Sequence, residues 1–194
     1  MRHTKNSTSI KWHNGMDRRE FLLAGLVTTV GCLFPYKAGA ALSKLSSDER
    51  KLFFYNIHTG ENIHVVYCEQ GAYVPQALTD INHILRDFRN GDVKEIDTNL
   101  LDLLFTLQQR LESTEPFHVI SGYRSPETNL HLHEASKGVA KNSLHMQGKA
   151  IDIRLPGCDL KTLHRMAIEL RRGGVGYYAS SNFVHVDVGR IRYW

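Results

Sequence analysis

The sequence predicts an α+β domain in which a mostly antiparallel sheet is flanked by helices. Two observations lead there. After an opening β-hairpin, apolar residues recur at helical spacing through two segments. They then alternate mostly at strand spacing towards the C-terminus, the segregation expected of α+β rather than of a repeated βαβ unit. The composition, 42% hydrophobic and 23% charged in 194 residues, is that of one globular domain. It excludes collagen-like, coiled-coil, wholly disordered and multi-pass membrane classes.

Residues 1–40 read as an export signal removed after Ala40. Arg18-Arg19 precede Phe21-Leu22-Leu23 and an apolar run from Ala24 to Phe34, and Ala38-Gly39-Ala40 supplies the small residues of a cleavage site. Adjacent arginines ahead of Phe-Leu resemble the twin-arginine signal, whose pathway carries folded proteins. The Tat export machinery is then the transit partner and the periplasm the destination; an ordinary secretory signal is the alternative. The apolar run is interrupted by Thr28 and Thr29 and is short for a bilayer span. Met16 lies just ahead of the arginines as a second possible start, and Cys32 belongs to the apolar segment. Six basic and two acidic residues fall in this segment, leaving 18 of each sign for 41–194. With no net positive domain to neutralise phosphates, nucleic acid is not an expected partner.

Residues 41–50 form a polar, flexible lead-in, and 51–194 the folded domain. Leu52–Ile57 and Ile63–Tyr67 are β-rich runs separated by His58-Thr59-Gly60-Glu61, a hairpin. Pro75 opens a helix in which Leu78, Ile81, Leu85 and Phe88 share a face until Asn90-Gly91. Asp97 caps a second helix with Leu100, Leu103, Leu104, Leu107 and Leu111 as its buried stripe. Phe117–Ile120 is a strand, Ser121–Ser143 is polar and loop-like with room for one helix, and Ala150–Leu155 is a strand. Leu160–Arg172 is an amphipathic helix ending at Gly173-Gly174, and Val175–Tyr178 and Phe183–Val188 close as strands. Cys68 and Cys158 suit either one disulfide of an exported protein or two separate thiols.

Eleven histidines are present. His131-Leu132-His133 has metal-like spacing but no second cluster to complete it, whereas His145 and His185 stand out by their neighbours. In Ala150–Leu155 the period of two puts Ala150, Asp152 and Arg154 on one face and Ile151, Ile153 and Leu155 on the other. The aliphatic face fills the core, so Asp152 faces away from it, and Gly148 lets the preceding turn fold His145 back over the carboxylate. In the last strand Val184, Val186 and Val188 go inward while Phe183, His185 and Asp187 share the other face. His145, Asp152 and His185 then converge on one surface. Two imidazoles and a carboxylate suit a tetrahedral zinc with one open position; the same spacing also suits a hydrogen-bonded His–Asp pair in a polar cleft.

Residues Ser143–Asp152 read Ser-x-His-x-x-Gly-x-Ala-x-Asp without a gap. With Ser121-Gly122-Tyr123-Arg124-Ser125 and Phe183-Val184-His185-Val186-Asp187, this resembles the M15 family of zinc D-Ala-D-Ala-type peptidases. Gly138-Val139-Ala140-Lys141, Gly173–Tyr178, Ser181–His185 and Arg192-Tyr193-Trp194 resemble more closely its DUF882 branch of Gram-negative murein endopeptidases. The similarity runs from about Leu52 to Trp194. It implies a hedgehog-like or D-Ala-D-Ala-peptidase-like fold and one zinc ion (Zn2+) on His145, Asp152 and His185. It also implies a periplasmic hydrolase acting on peptidoglycan stem peptides. Arg124 maps onto the family's arginine, which binds a substrate carboxylate or the developing oxyanion, and Ser143 onto a serine near the substrate's peptide end. Many M15 relatives carry an acid three residues before the last ligand, where Asn182 stands here. A related group uses a histidine two before it, where Phe183 stands. The acid on the face of His185 is Asp187, about 7 Å along the strand: either the general base or a group orienting His185. The favoured reading is an endopeptidase cutting 3–3 meso-diaminopimelate cross-links, with 4–3 links possible. A zinc-containing peptidoglycan-binding protein without turnover is the runner-up, and a D,D- or L,D-carboxypeptidase the third reading.

Overall fold

Strand β1 (Arg50–Asn56) alternates buried Leu52, Phe54 and Asn56 with more exposed neighbours, as a strand with one covered face must. It turns through Gly60, whose φ of +75° suits glycine, into antiparallel β2 (Asn62–Glu69). In this computed structural model residues 48–136 and 138–194 are described; the expected export signal and most of the lead-in lie outside the described residues. Then follow β3 (Ala72–Tyr73), α1 (Pro75–Ile84), α2 (Thr98–Arg110), β4 (Phe117–Ser121), α3 (Pro126–Ala135) and a 3₁₀ turn at Leu144–Gln147. β5 (Ala150–Arg154), α4 (Leu160–Leu170), β6 (Gly174–Tyr178), β7 (Phe183–Asp187) and β8 (Arg192–Tyr193) complete the order. Among the described residues, no helix is long and apolar enough to cross a membrane.

The eight strands form one sheet in the order β3-β2-β1-β4-β5-β7-β6-β8. It is a mixed sheet, which corrects the expectation of a mostly antiparallel one: β1 runs parallel to β4, and β6 parallel to β8. The reason is connectivity. The chain between β2 and β4 contains α1 and α2, a crossover long enough to bring β4 back beside β1 in the same direction. Side-chain periodicity marks a strand's two faces and carries no information about its partner's direction.

The helices supply the covering layer. Leu100, Leu104 and Leu107 of α2 and Leu163 and Ala167 of α4 join Leu52, Phe54, Val119, Ile151, Ile153, Val184 and Val186 in one buried cluster. Each such leucine contributes about 2 kcal/mol by removing apolar surface from water. Asp97 caps α2 through Asn99 N–H and Asp159 caps α4 through Thr162 N–H. Helix α1 stops earlier than its apolar spacing suggests. The Leu85 carbonyl accepts the Tyr123 N–H at 2.7 Å, and Asp87 accepts Ser125 N–H at 2.9 Å, so this stretch braces the loop after β4. The single helix allowed for in Ser121–Ser143 is α3, capped by Ser125 with Pro126 in its first turn. Cys68 and Cys158 are free thiols.

Candidate metal centre

The outer faces of β5 and β7 meet at mid-sheet. Their antiparallel register sets Asp152 opposite His185 and Ala150 opposite Asp187, while Ile151, Ile153, Val184 and Val186 point into the core. His145 reaches the same point from the 3₁₀ turn. That turn is closed by Gly148 at φ +67°, where an added Cβ would fall 2.2 Å from the Glu95 carbonyl oxygen. A bulge between Val119 and Ser121 on β4 turns Ser121 onto the site face opposite Asp152. The Ile120 carbonyl beside the bulge lies 3.0 Å from His58 Nε2.

The three donor atoms form a tight triangle. Asp152 Oδ1 lies 2.8 Å from His185 Nδ1 and 3.3 Å from His145 Nε2, and the two nitrogens are 3.2 Å apart. All three residues are buried. Tetrahedral zinc with bonds of 2.0–2.1 Å requires donors about 3.3 Å apart, so the triangle needs little expansion to hold an ion. The outward nitrogens are already partnered. His145 Nδ1 donates to the Gly122 carbonyl at 2.7 Å, which leaves its Nε2 lone pair facing the triangle, and His185 Nε2 donates to Asp187 Oδ2 at 3.0 Å. Metal-bound histidines are characteristically fixed in this way. The electrostatics also call for a cation. Burial works against charge on His185, yet the carboxylates of Asp152 and Asp187 outweigh it and raise the imidazole's pKa. Burial likewise opposes ionisation of Asp152, but the neighbouring His145 and His185 hold its carboxyl well below the usual range. The donor set fits a divalent metal.

Asp187 stands behind His185. It has no exposed surface, and five N–H groups converge on its two oxygens. Oδ1 accepts from Gly174 N at 3.0 Å, Gly189 N at 2.8 Å and Arg192 Nη1 at 3.1 Å; Oδ2 accepts from His185 Nε2 and from Arg192 Nη2 at 2.7 Å. Although burial opposes it, this array holds the carboxyl well below its ordinary pKa. Arg124 is buried on the other side of the cluster. Its Nη2 lies 3.4 Å from Asp152 Oδ2 and 3.3 Å from Ser121 Oγ, and its Nε has no partner among the described residues. Burial pushes its guanidinium below its ordinary pKa against the opposing pull of Asp152. Ser143 Oγ accepts the His145 N–H at 3.3 Å. Arg124, Ser143, His145, Asp152 and His185 all line one cleft of about 350 Å³.

Three further cleft residues were not singled out by sequence reasoning for any chemistry: Tyr178, Arg192 and Trp194. The sequence placed them in stretches that carry the family resemblance without assigning them a role; what admits a large ring at the site is Gly176, the glycine that β6 sets opposite His185. The rim at 138–142 is tethered by Asn129, whose amide donates to the carbonyls of Ala140 and Lys141 at 3.1 Å each. His133 belongs to that rim as well, its Nδ1 bonded to the Val139 carbonyl oxygen.

A buried His–Asp–His donor set, with both imidazoles fixed from behind and an arginine 3.4 Å from the carboxylate in the same open cleft, defines a candidate metallohydrolase centre. Comparison with known proteins gives the family. The chain matches, over residues 44–194, the peptidase M15 family described as peptidoglycan L,D-endopeptidase MepK, and it belongs to that family. It is 41% identical over 178 residues to the peptidoglycan L,D-endopeptidase MepK of Escherichia coli (strain K12), covering 92% of this chain and 97% of that protein. The Shigella flexneri protein of the same name matches to the same extent. The probable peptidoglycan L,D-endopeptidase MepK of Haemophilus influenzae is 37% identical over 179 residues, covering 92% of this chain and 95% of the relative.

Proposed function

We propose that this protein is a zinc-dependent endopeptidase of the periplasm that hydrolyses peptide cross-links in peptidoglycan. The observation that carries the reading is the triangle of His145 Nε2, Asp152 Oδ1 and His185 Nδ1 at the base of an open cleft, in a chain of this peptidase family. These three residues hold the metal. Zinc, when bound, supplies Lewis acidity that polarises an amide carbonyl and acidifies water.

The chain's own groups do the rest. Arg124 is a forked cation at the cleft wall, suited to a substrate carboxylate or to negative charge developing on the scissile carbonyl oxygen. Ser143 offers its hydroxyl to the bound peptide from beside His145. Of the two roles open to Asp187, orientation of His185 is the one its surroundings favour, because every lone-pair direction of its carboxylate already meets a donor and the His185 ring separates it from the metal-facing atoms. The relatives' designation as L,D-endopeptidases favours the 3–3 link, which joins an L-centre to a D-centre; a 4–3 link joins two D-centres. Residues 1–40 serve as the export signal, Tat-type by its Arg18-Arg19 pair, and 51–194 as the catalytic domain.

Digestion of purified sacculi with zinc-loaded protein, followed by muropeptide separation, tests this. Loss of 3–3 cross-linked dimers with wild type and not with His185→Ala is the expected result. Unchanged dimers with wild type would overturn the reading, and release of free amino acid from monomeric peptides would replace it with a carboxypeptidase.

A further inference from the structure

The wall of the cleft opposite Arg124 is built from the edge of the sheet. Gly174, Gly176 and Tyr178 share a face of β6, and the register with β7 sets Gly176 opposite His185 and Tyr178 opposite Phe183. Gly176 leaves a gap beside His185 that Trp194 occupies: a Cβ there would lie 2.6 Å from the indole ring. Trp194 is held in place by its backbone, which pairs with Val175 and Tyr177 of β6, and by the Arg192 guanidinium 4.9 Å over its ring. Its indole lies 5.3 Å from the His185 imidazole, centroid to centroid. Tyr178 stacks on Phe183 at 4.5 Å.

One polar contact orders this wall. The indole N–H of Trp194 donates to the Tyr178 hydroxyl oxygen at 2.8 Å. An indole can only donate, so the tyrosine must accept, and its own O–H proton is directed elsewhere. Among the described residues no group accepts that proton. The wall thus presents an oriented, unclaimed donor amid three aromatic faces, in the cleft that buried Arg124 also lines from the far side of β5 and β7 in the strand order.

We propose that Tyr178 is a substrate-binding residue whose hydroxyl donates to a carbonyl or carboxylate oxygen of the stem peptide, and that Trp194 is the positioning residue that aims it. The apolar face of Phe183 accommodates the aliphatic chain beside that oxygen. Arg124 and Tyr178 then hold the peptide from opposite walls, and the bond to be cut is presented to the metal triangle between them. The inference rests on the endopeptidase reading above.

The test uses zinc-loaded protein, steady-state kinetics on a purified 3–3 cross-linked dimer, and calorimetric affinity for the uncross-linked product peptide. Tyr178→Phe keeps the ring stack and removes only the hydroxyl. It is expected to raise KM and weaken product binding by the same factor, roughly three- to tenfold, with kcat, zinc content and Tm close to wild type. Trp194→Phe removes the indole donor and is expected to give a smaller loss. The double variant is expected to be no worse than Tyr178→Phe, because both changes act through one hydroxyl. Unchanged KM and product affinity in Tyr178→Phe would overturn the inference, as would losses in the two single variants that simply add. A wild-type protein inactive on the dimer would overturn the endopeptidase reading instead, and the product-affinity comparison would still decide the role of Tyr178.

Discussion

Replacing Asp187 with asparagine separates an action on substrate from an action on His185. The change preserves shape, so packing is nearly constant, but it substitutes a donor for one of two oxygens that only donors surround. If the amide nitrogen takes the place of Oδ2, it confronts His185 Nε2–H and Arg192 Nη2; if it takes the place of Oδ1, it confronts Gly174 N–H, Gly189 N–H and Arg192 Nη1. At least two hydrogen bonds to a charged acceptor are lost either way. At about 1.5–3 kcal/mol each, the folded protein loses about 3–6 kcal/mol. The acceptor that fixes the His185 ring also loses its charge, for which an affinity loss of about 10- to 100-fold for zinc is the usual consequence. Chelator competition measures the affinity, and thermal unfolding of the zinc-free protein measures the stability. A general base at Asp187 would give a different pattern: wild-type zinc affinity with the loss confined to kcat. That pattern in Asp187→Asn would refute the orienting role.

Arg124→Lys is expected to keep zinc and fold while losing about 10- to 1,000-fold in kcat/KM on cross-linked murein, since a point charge replaces a fork; wild-type activity would show that Arg124 only braces the loop after β4. His145→Ala is expected to abolish tight zinc binding, measured by metal analysis after gel filtration, and full retention would remove His145 from the ligand set. Gly148→Ala places a Cβ at φ +67° and 2.2 Å from the Glu95 carbonyl oxygen; a stability loss of about 2 kcal/mol or more in denaturant unfolding is expected, with weaker zinc binding because His145 shares the turn. Asp102 accepts from Arg50, Tyr67 and Tyr73 and ties the hairpin to α2. Burial opposes its ionisation, but these donors lower its pKa, so its contribution is complete above the unfolded value of about 3.9 and is lost as pH falls through the lower folded value. Asp102→Asn is therefore expected to cost about 1–2 kcal/mol at pH 7, and the gap to wild type should close in acid; a gap that does not vary with pH would refute the linkage.

The parts of this molecule that were legible in the sequence are those fixed by local periodicity. Alternation along Ala150–Arg154 and Phe183–Asp187 sorted Ile151, Ile153, Val184 and Val186 to the core and Asp152 and His185 to the other face, and the structure shows the same sorting. The N-cap at Asp97 was equally local. What could not be read depends on pairing between distant segments. The parallel β1–β4 junction depends on where a crossover lands, and the aromatic wall depends on β8 docking beside β6. The site-facing turn of Ser121 depends on a bulge in β4, which only its neighbour's register reveals. The role of Asp187 was ambiguous for the same reason: strand rise gave its distance from His185, but not the Arg192 and glycine N–H groups that enclose it.

The division between local and non-local information follows the division of labour in the site. The proposed metal ligands come from two paired central strands and one glycine-closed turn, backed by a core that resists displacement because its side chains are close-packed. A shift of 1 Å there would open the donor triangle, so rigidity serves metal binding. The walls proposed to meet substrate come instead from the 138–142 rim, the loop after β4 and the two-residue edge strand β8, elements with less packing behind them and more freedom to differ between relatives. Substitutions on the walls should therefore alter which peptide binds while leaving zinc affinity alone, and substitutions at Gly148 or Asp187 should do the reverse. Measuring zinc affinity and KM together across both groups of variants would expose any residue assigned to the wrong group.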